Sequence, residues 1–190
     1  MNPDAPFEAL IFDCDGTLAD TMPIHHECLA TALARHGTTL PWDWYIARNG
    51  VAFTAMIDEV KRELGHSPEP DALMAELPQL YRERVHKVEE IAQVAAIARR
   101  HAGQVPMAVA SNGEAELVHA TLDAIGLKDL FQAIVTIEDV AQGKPEPDVY
   151  LEAARRLGVE PGLCVVYEDS DVGLEAARRA GMRRIDVRRG

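Results

Sequence analysis

The spacing of apolar residues changes along the chain, and the change predicts two kinds of structure. A continuous apolar run predicts a buried strand over 7–13, whereas apolar residues three and four positions apart predict a helix over 23–35. Further helices are predicted over 53–64, around 72–77, and over 80–100 with a break. Short apolar runs and helical segments then alternate, giving predicted strands at 106–111, 133–137, 163–167 and 184–187 and predicted helices at 114–125, 147–157 and 171–180.

The alternation of strands and helices indicates the fold class. Such a pattern is typical of a parallel sheet with helices on both faces. We therefore predict an α/β fold, a doubly wound parallel sheet with a Rossmann-like core. The helical block after the first strand is predicted to be an inserted small helical cap domain. The expected domains are an α/β core at 1–20 and 89–190 and a helical cap at 21–88.

An acidic composition limits the partners of the chain, which has 190 residues and a formal net charge of −12. Since nucleic acids bind basic surfaces, this charge argues against nucleic acid as the main partner. No apolar run is long enough to span a bilayer, and residues 1–6 lack the features of a signal peptide. Three widely spaced cysteines fit neither a disulfide framework nor a zinc site. We expect a monomer in a reducing cytoplasm, with no membrane or nucleic-acid partner.

Polar residues follow several of the predicted strands at the point where each strand ends. Asp13 and Asp15 come after the first apolar run, and in extended chain they share a face while Cys14 points away. Two carboxylates this close repel each other unless a cation or a proton lies between them. Because open α/β sheets bind ligands at the carboxyl ends of their strands, these groups should converge on one crevice. The further groups are Ser111, Asn112, Lys144, Glu168 and Asp169.

Most of these groups also have a purely structural alternative. Asp13 would cap a loop, and Ser111 would be an ordinary N-cap or turn residue. Lys144 would be an exposed turn lysine, and Glu168 and Asp169 would complement the dipole of a helix N-terminus. An EF-hand calcium loop is excluded, because the glycine comes too early and the twelfth position is Ile24 rather than glutamate.

Four motifs in a fixed order carry a resemblance to a known family. They are DCDGT at 13–17, a serine at the end of a strand at 111, GKPEPD at 143–148, and YEDS at 167–170 followed by a glycine at 173. In this order they resemble the haloacid-dehalogenase-like hydrolase superfamily, over essentially the whole chain. Asp20-Thr21 with His25, and the ending CVVYEDSDVGLEAARRAGM, resemble the branch of β-phosphoglucomutase and small sugar phosphatases, with bacterial fructose-1-phosphate phosphatases nearest.

The resemblance implies a reaction and assigns roles in it. It implies Mg²⁺-dependent hydrolysis of a small phosphorylated metabolite, a sugar phosphate such as fructose 1-phosphate, through an aspartyl-phosphate. Asp13 would be the nucleophile and Asp15 the general acid and base. Lys144 would neutralise charge in the transition state.

The resemblance also implies a metal site and a phosphate site. Mg²⁺ would be held by the carboxylates of Asp13, Glu168 and Asp169 and by the main-chain carbonyl of Asp15, since Mg²⁺ prefers oxygen ligands. The turn after the second core strand, with Ser111, Asn112 and the following backbone N–H groups, would bind phosphate oxygens together with Lys144.

The predicted cap offers weaker candidates for substrate contact. These are Thr21, His25, Arg48 and Asn49, whose structural alternatives are a helix N-cap for Thr21, an exposed helix start for His25 and a solvated helix end for the other two. β-Phosphoglucomutases carry a cap arginine near the position of Phe53 here, which favours hydrolysis over a phosphomutase reaction. A phosphomutase remains the alternative, followed by a catalytically silent binder of phosphorylated metabolites.

Overall fold

The computed structural model describes residues 6–48, 53–65 and 67–189 of the chain. The described residues form two compact units. The core unit lies within Met1–Asp20 and Val88–Gly190, and the helical unit lies within Thr21–Lys87. None of the helices in the described ranges has the length and apolar content that a membrane span needs.

Five strands of the core unit form a parallel sheet, and two short strands form a separate ribbon. The strands are β1 (Ala9–Phe12), β2 (Ala19–Asp20), β3 (Glu89–Glu90), β4 (Met107–Ala110), β5 (Ala133–Val135), β6 (Cys164–Glu168) and β7 (Arg183–Asp186). The order in the sheet is β5-β4-β1-β6-β7, with all neighbours parallel. This architecture confirms the predicted α/β fold with a doubly wound parallel sheet.

Helices flank the sheet in the core unit and make up most of the helical unit. The helical unit contains α1 (Met22–Ala34), α2 (Trp42–Ile46), α3 (Phe53–Glu63) and α4 (Pro70–Arg84). The core unit contains α5 (Ala92–His101), α6 (Ala115–Ala124), α7 (Asp148–Leu157) and α8 (Asp171–Arg179). Short 3₁₀ turns lie at Val85–Lys87, Lys128–Leu130, Ile137–Asp139, Pro161–Leu163 and Val187–Arg189.

The central strand β1 is buried on both of its faces. Leu10 and Phe12 pack into the apolar cluster on one face of the sheet, whereas Ala9 and Ile11 pack into the cluster on the other. The ring of Phe12 stacks on that of Tyr167, with centroids 4.9 Å apart. A strand buried on both faces needs a continuous apolar run, which is why the sequence predicts this strand well.

The predicted boundaries of the helices at 72–77 and 80–100 are wrong. A single helix, α4, passes through Pro78, and the chain then forms β3 before α5 begins at Ala92. Proline removes one hydrogen bond from a helix interior and normally ends or kinks it. Here Leu73, Leu80 and Tyr81 are buried on both sides of the proline, so the packing of α4 continues across it.

The ribbon of β2 and β3 was not predicted from the sequence. Ala19 pairs with Glu90 and Asp20 with Glu89, in antiparallel register. The amide of Ile91 also donates to the carbonyl of Leu18 at 2.9 Å. Within the core unit, the ribbon therefore joins the place where the chain leaves the unit to the place where it returns.

Candidate active site

Three adjacent strands bring the predicted site residues to one edge of the sheet. Phe12 ends β1 and lies opposite Val109 on β4 and Tyr167 on β6. Because these strands are parallel, the residues that follow them meet at their carboxyl ends. The residues at this edge are Asp13, Ser111, Glu168 and Asp169.

Lys144 reaches the same edge and lies between two carboxylates. Its Nζ donates to Asp13 Oδ1 at 2.6 Å and to Glu168 Oε2 at 2.8 Å. The Lys144 side chain is only 5% exposed. Although burial alone would lower the pKa of Lys144, the surrounding groups, Asp13 foremost, raise this pKa well above its usual value. The ammonium therefore stays charged beside the carboxylate of Asp13.

Three carboxylates cluster at this point and could hold a metal ion. Asp13, Glu168 and Asp169 each place one oxygen within 4.8 Å of the others. Burial raises the pKa of Asp13 well above its usual value, Glu168 and Asp15 raise it further, and Lys144 acts in the opposite direction. A bound cation would favour the charged form of Asp13 and so lower this pKa. Hard oxygen donors of this kind fit Mg²⁺.

Glu168 accepts hydrogen bonds on both of its oxygens. Oε2 accepts from Lys144 Nζ and, at 2.6 Å, from the hydroxyl of Tyr150. Oε1 accepts from the hydroxyl of Ser170 at 2.8 Å and from the amides of Asp169 and Ser170 at 3.1 and 2.9 Å. Although burial acts the other way, Lys144 and these donors hold the pKa of Glu168 below its usual value. Glu168 is therefore an ionised group that orients Lys144.

Asp169 is held by the first loop of the core unit. The hydroxyl of Thr17 donates to Asp169 Oδ1 at 3.0 Å. Burial, and then the charge of Glu168, raise the pKa of Asp169 to about 6. This carboxyl therefore also gains from a nearby cation, which fits the predicted role of Asp169 as a metal ligand.

Two glycines leave room for the acidic side chains. Gly16 has φ +82°, and a Cβ there would overlap the carboxylate of Asp169. A Cβ on Gly173, in the first turn of α8, would overlap the carboxylate of Glu168. The glycines of the first and last motifs are therefore required by the close approach of the carboxylates, and Gly16 also by its backbone conformation.

Asp15 lies close to the turn after β4. A Cβ on Gly113 would lie 3.7 Å from Asp15 Oδ2 and 3.2 Å from Ser111 Oγ. Ser111 is buried, and its Oγ accepts from the amide of Gly113 at 2.9 Å. The side chains of Asp15 and Ser111 thus lie beside the same turn.

Asn112 connects the turn after β4 to the lysine segment. Its Nδ2 donates to the main-chain carbonyl of Lys144 at 3.2 Å, and the main-chain N–H of Lys144 donates to Asn112 Oδ1 at 2.8 Å. The sequence predicts that Asn112 binds phosphate. In the structure both polar atoms of its side chain contact the protein main chain.

Sequence reasoning assigned no role to two hydroxyl groups at this edge. Tyr150 bonds to Glu168, and its ring centroid lies 4.9 Å from Lys144 Nζ. Thr17 bonds to Asp169. Tyr150 could have been noticed as the polar member of the buried stripe on α7, which also contains Val149 and Ala153. A buried tyrosine hydroxyl needs a hydrogen-bond partner, and α7 begins shortly after Lys144, which is a predicted site residue.

The candidates in the helical unit have mixed environments. Thr21 is buried at the N-cap position of α1, without a side-chain capping hydrogen bond. His25 is exposed, and its ring centroid lies 5.0 Å from that of Tyr81. Asn49 lies outside the described residues. The main-chain N–H of His25 donates to the carbonyl of Thr21 at 3.0 Å, so these two candidates share the first turn of α1, and their placement assigns them no ligand.

Arg48 forms hydrogen bonds with other residues of the helical unit. Its Nε donates to Glu59 Oε2 at 2.6 Å, one terminal nitrogen donates to Glu63 Oε2 at 2.7 Å, and the other donates to the carbonyl of Trp44 at 3.0 Å. The guanidinium carbon also lies 3.6 Å from the centroid of the Trp44 ring. This set of contacts links α2 to α3 and favours a structural role for Arg48.

The fold and the motifs define the class of protein. The family model for haloacid dehalogenase-like hydrolases matches residues 7–181. The chain belongs to this family, which confirms the predicted family and the prediction that the protein is a hydrolase.

Individual relatives resemble the chain over almost its full length. It is 37% identical over 184 residues to fructose-1-phosphate phosphatase YqaB of Escherichia coli (strain K12), covering 96% of this chain and 97% of the relative. It is 32% identical over 193 residues to validoxylamine A 7'-phosphate phosphatase of Streptomyces hygroscopicus subsp. limoneus, covering 93% and 83%. The crystal structure of CbbY from Rhodobacter sphaeroides in complex with phosphate superposes with a TM-score of 0.76 at 28% identity, covering 95% and 85%.

Proposed function

We propose that the protein is a Mg²⁺-dependent phosphatase that hydrolyses a small phosphorylated metabolite, a sugar phosphate such as fructose 1-phosphate. The observation that carries the proposal is the buried contact of 2.6 Å between Lys144 Nζ and Asp13, next to the carboxylates of Glu168 and Asp169. A carboxylate nucleophile, a fixed cation and a group of hard oxygen ligands together suit the transfer of a phosphoryl group.

In the proposed reaction Asp13 and Asp15 divide the covalent and the proton-transfer steps. An oxygen of Asp13 forms a bond to phosphorus as the bond to the sugar oxygen breaks, and Asp15 gives its proton to that sugar oxygen. Asp15 then takes a proton from a water that attacks the phosphorus of the aspartyl-phosphate. This second step releases inorganic phosphate and restores both carboxyl groups.

The remaining groups of the edge stabilise charge. Lys144 neutralises negative charge shared by the phosphoryl group and Asp13 as the bonds change. The turn that contains Ser111 presents a hydroxyl and backbone N–H groups to phosphate oxygens. Mg²⁺ held by Asp13 and Asp169, with Glu168 nearby, would supply further neutralisation of the phosphate.

The relatives support a sugar phosphate as the substrate, and the helical unit supports hydrolysis of it rather than isomerisation. The relative at 37% identity is named for fructose 1-phosphate. Phe53, at the start of α3, occupies the place where the resemblance to phosphomutases calls for a second cation. A monophosphate needs no such cation, so hydrolysis is favoured over isomerisation. We further propose that residues 21–88 act as a cap in which Thr21 and His25 contact the sugar.

A panel of sugar phosphates tests the proposal by release of inorganic phosphate, with Mg²⁺ and then with a chelator. The expected result is release that requires Mg²⁺ and is fastest with one sugar phosphate. Isomerised product in place of phosphate would favour a phosphomutase, and binding without turnover would favour a silent binder. Gel filtration of the same preparation checks the expected monomer.

A further inference from the structure

We propose that Asn112 is a positioning residue that fixes the main chain of Lys144, rather than a ligand of the substrate phosphate. The kinetic part of this inference rests on the proposed function. The inference starts from the two hydrogen bonds that join the Asn112 carboxamide to the N–H and the carbonyl of Lys144, at 2.8 and 3.2 Å. The two residues are 32 positions apart, so the contact ties two separate loops together.

The carboxamide of Asn112 is oriented by these two bonds. Its oxygen accepts from the Lys144 N–H, which identifies the other terminal atom as the donor to the Lys144 carbonyl. The bond to the Lys144 carbonyl uses one of the two Nδ2 hydrogens and fixes the direction of the other, so the carboxamide cannot turn toward a phosphate without breaking the pair. Of the backbone N–H groups of the turn, that of Gly113 donates to Ser111 Oγ at 2.9 Å and that of Ser111 donates to the Val135 carbonyl at 2.9 Å, so a phosphate bound by the main chain would use the Asn112 N–H and leave this pair in place.

The residue before Lys144 leaves space for the asparagine. A Cβ on Gly143 would lie 2.7 Å from Asn112 Oδ1 and 3.1 Å from Asn112 Cγ, closer than side-chain carbons normally approach. The backbone of Gly143 does not have the positive φ that would by itself require glycine. Ile137 Cδ1 also lies 2.7 Å from this Cβ position, so the glycine of the lysine motif is explained by the approach of two side chains, those of Asn112 and Ile137.

Lys144 needs such an anchor because its side chain is long. Asp13 and Glu168 hold the ammonium at one end, and Asn112 holds the main chain at the other. With the main-chain anchor lost, the lysine segment can move while the ammonium remains attracted to its carboxylates. A displacement of a catalytic group by about 1 Å costs up to about 10²-fold in rate, so a partial loosening should cost about tenfold.

Amide hydrogen exchange and steady-state kinetics together test the role of Asn112. Asn112→Ala should make the Lys144 amide exchange faster by about tenfold or more, because its acceptor is gone. The variant should also lower kcat about tenfold, while KM and inhibition by inorganic phosphate change less than about twofold. Asn112→Asp keeps the acceptor for the Lys144 N–H and should keep the protection of that amide.

Gln132→Ala is the matched control. Gln132 is also an exposed carboxamide that bonds to a distant main-chain group, since its Oε1 accepts from the Met107 N–H at 2.7 Å across 25 residues. Met107 begins β4, at the end of the strand away from Ser111. This variant should release the Met107 amide and leave kcat and the Lys144 amide unchanged.

The possible outcomes separate the two roles of Asn112. Weaker inhibition by phosphate and a higher KM, with a protected Lys144 amide, would overturn the proposal in favour of a phosphate ligand. An unchanged kcat would also overturn it, whether or not the amide is released. If the wild-type protein releases no phosphate, the proposed function fails, and exchange at Lys144 with calorimetric binding of inorganic phosphate still decides the role of Asn112.

Discussion

The carboxyl edge of the core sheet and the α2–α3 region of the helical unit both contain charged side chains, but they use them differently. At the sheet edge the bonds join residues far apart in sequence, as between Lys144 and Asp13, which are 131 positions apart. In the α2–α3 region Arg48 bonds to groups 4, 11 and 15 positions away. The first arrangement assembles a site from separate loops, whereas the second connects two neighbouring helices.

The two regions also differ in how well their charges balance. At the sheet edge one ammonium lies among three clustered carboxylates, of which Asp13 and Glu168 are buried and Asp169 is half-buried, and this leaves an excess of negative charge for a cation to neutralise. Around Arg48 one guanidinium lies between two carboxylates, and the side chain of Glu63 is 38% exposed, so water shares the charge. A charge imbalance in a buried place therefore points to a ligand more strongly than the presence of charged residues does.

The largest expected effect comes from the proposed nucleophile. Asp13→Asn removes the negative oxygen that would attack phosphorus while keeping the shape of the side chain, so phosphate release should fall by about 10³-fold or more. Thermal unfolding and circular dichroism should still show a folded protein. Turnover close to that of the wild type would remove the aspartyl-phosphate mechanism.

The next effect comes from the cation of the same edge. Lys144→Met keeps much of the apolar volume but removes the charge, and kcat should fall by about 10²-fold to 10³-fold, as for other groups that stabilise transition-state charge. Lys128→Met is the control, since Lys128 forms a 2.7 Å ion pair with the exposed Asp123 in the same unit. Equal losses of activity in the two variants would contradict a specific role for Lys144.

A smaller effect is expected in the helical unit. Arg48→Ala breaks three hydrogen bonds and the contact with Trp44, and it should lower the free energy of unfolding by about 1–2 kcal/mol, a value reduced for partial exposure. The kcat/KM should stay within about twofold of the wild type. Denaturant titration and kinetics on one preparation measure both quantities.

Arg62→Ala is the control for Arg48→Ala. Arg62 also pairs with Glu63, at 3.3 Å, but its side chain is 64% exposed. Arg62→Ala should change the free energy of unfolding by less than about 0.5 kcal/mol and should leave kcat/KM within about twofold of the wild type. A large rise in KM for Arg48→Ala, with unchanged stability, would instead assign Arg48 to the substrate.

The same contrast explains what could be predicted from the sequence. Asp13, Ser111 and Asp169 follow buried strands, so the order of the strands alone brings them to one edge. The bonds of Tyr150 to Glu168 and of Asn112 to Lys144 depend on where a side chain turns after folding, 18 and 32 residues from its partner. No periodicity encodes such a direction, so the sequence assigns no role to Tyr150 and does not predict the main-chain contact of Asn112.

In the helical unit fewer of the contacts and helix boundaries could be predicted from the sequence, and the reason is physical. Arg48 follows the short helix α2 and has no neighbouring motif, so its sequence context does not show that α3 presents Glu59 and Glu63 to it. Likewise, Pro78 predicts a break that the buried stripe of α4 overrides. Local signals predict well where burial agrees with them and poorly where packing decides.

The smallest expected effect compares the stability of the two units through their cysteines. Cys14 and Cys164 are buried in the core unit and Cys28 in the helical unit. Burial raises the pKa of Cys28 and of Cys164 to about 11, and that of Cys14 well above its usual value, so all three should resist alkylation at pH 8 in the native protein. Reaction then requires local opening.

Because the helical unit is the smaller one and buries less surface, Cys28 should be alkylated first, as mass spectrometry of timed samples would show. All three should react quickly in denaturant, and labelling of Cys14 ahead of Cys28 would mean that the sheet edge is the less stable region.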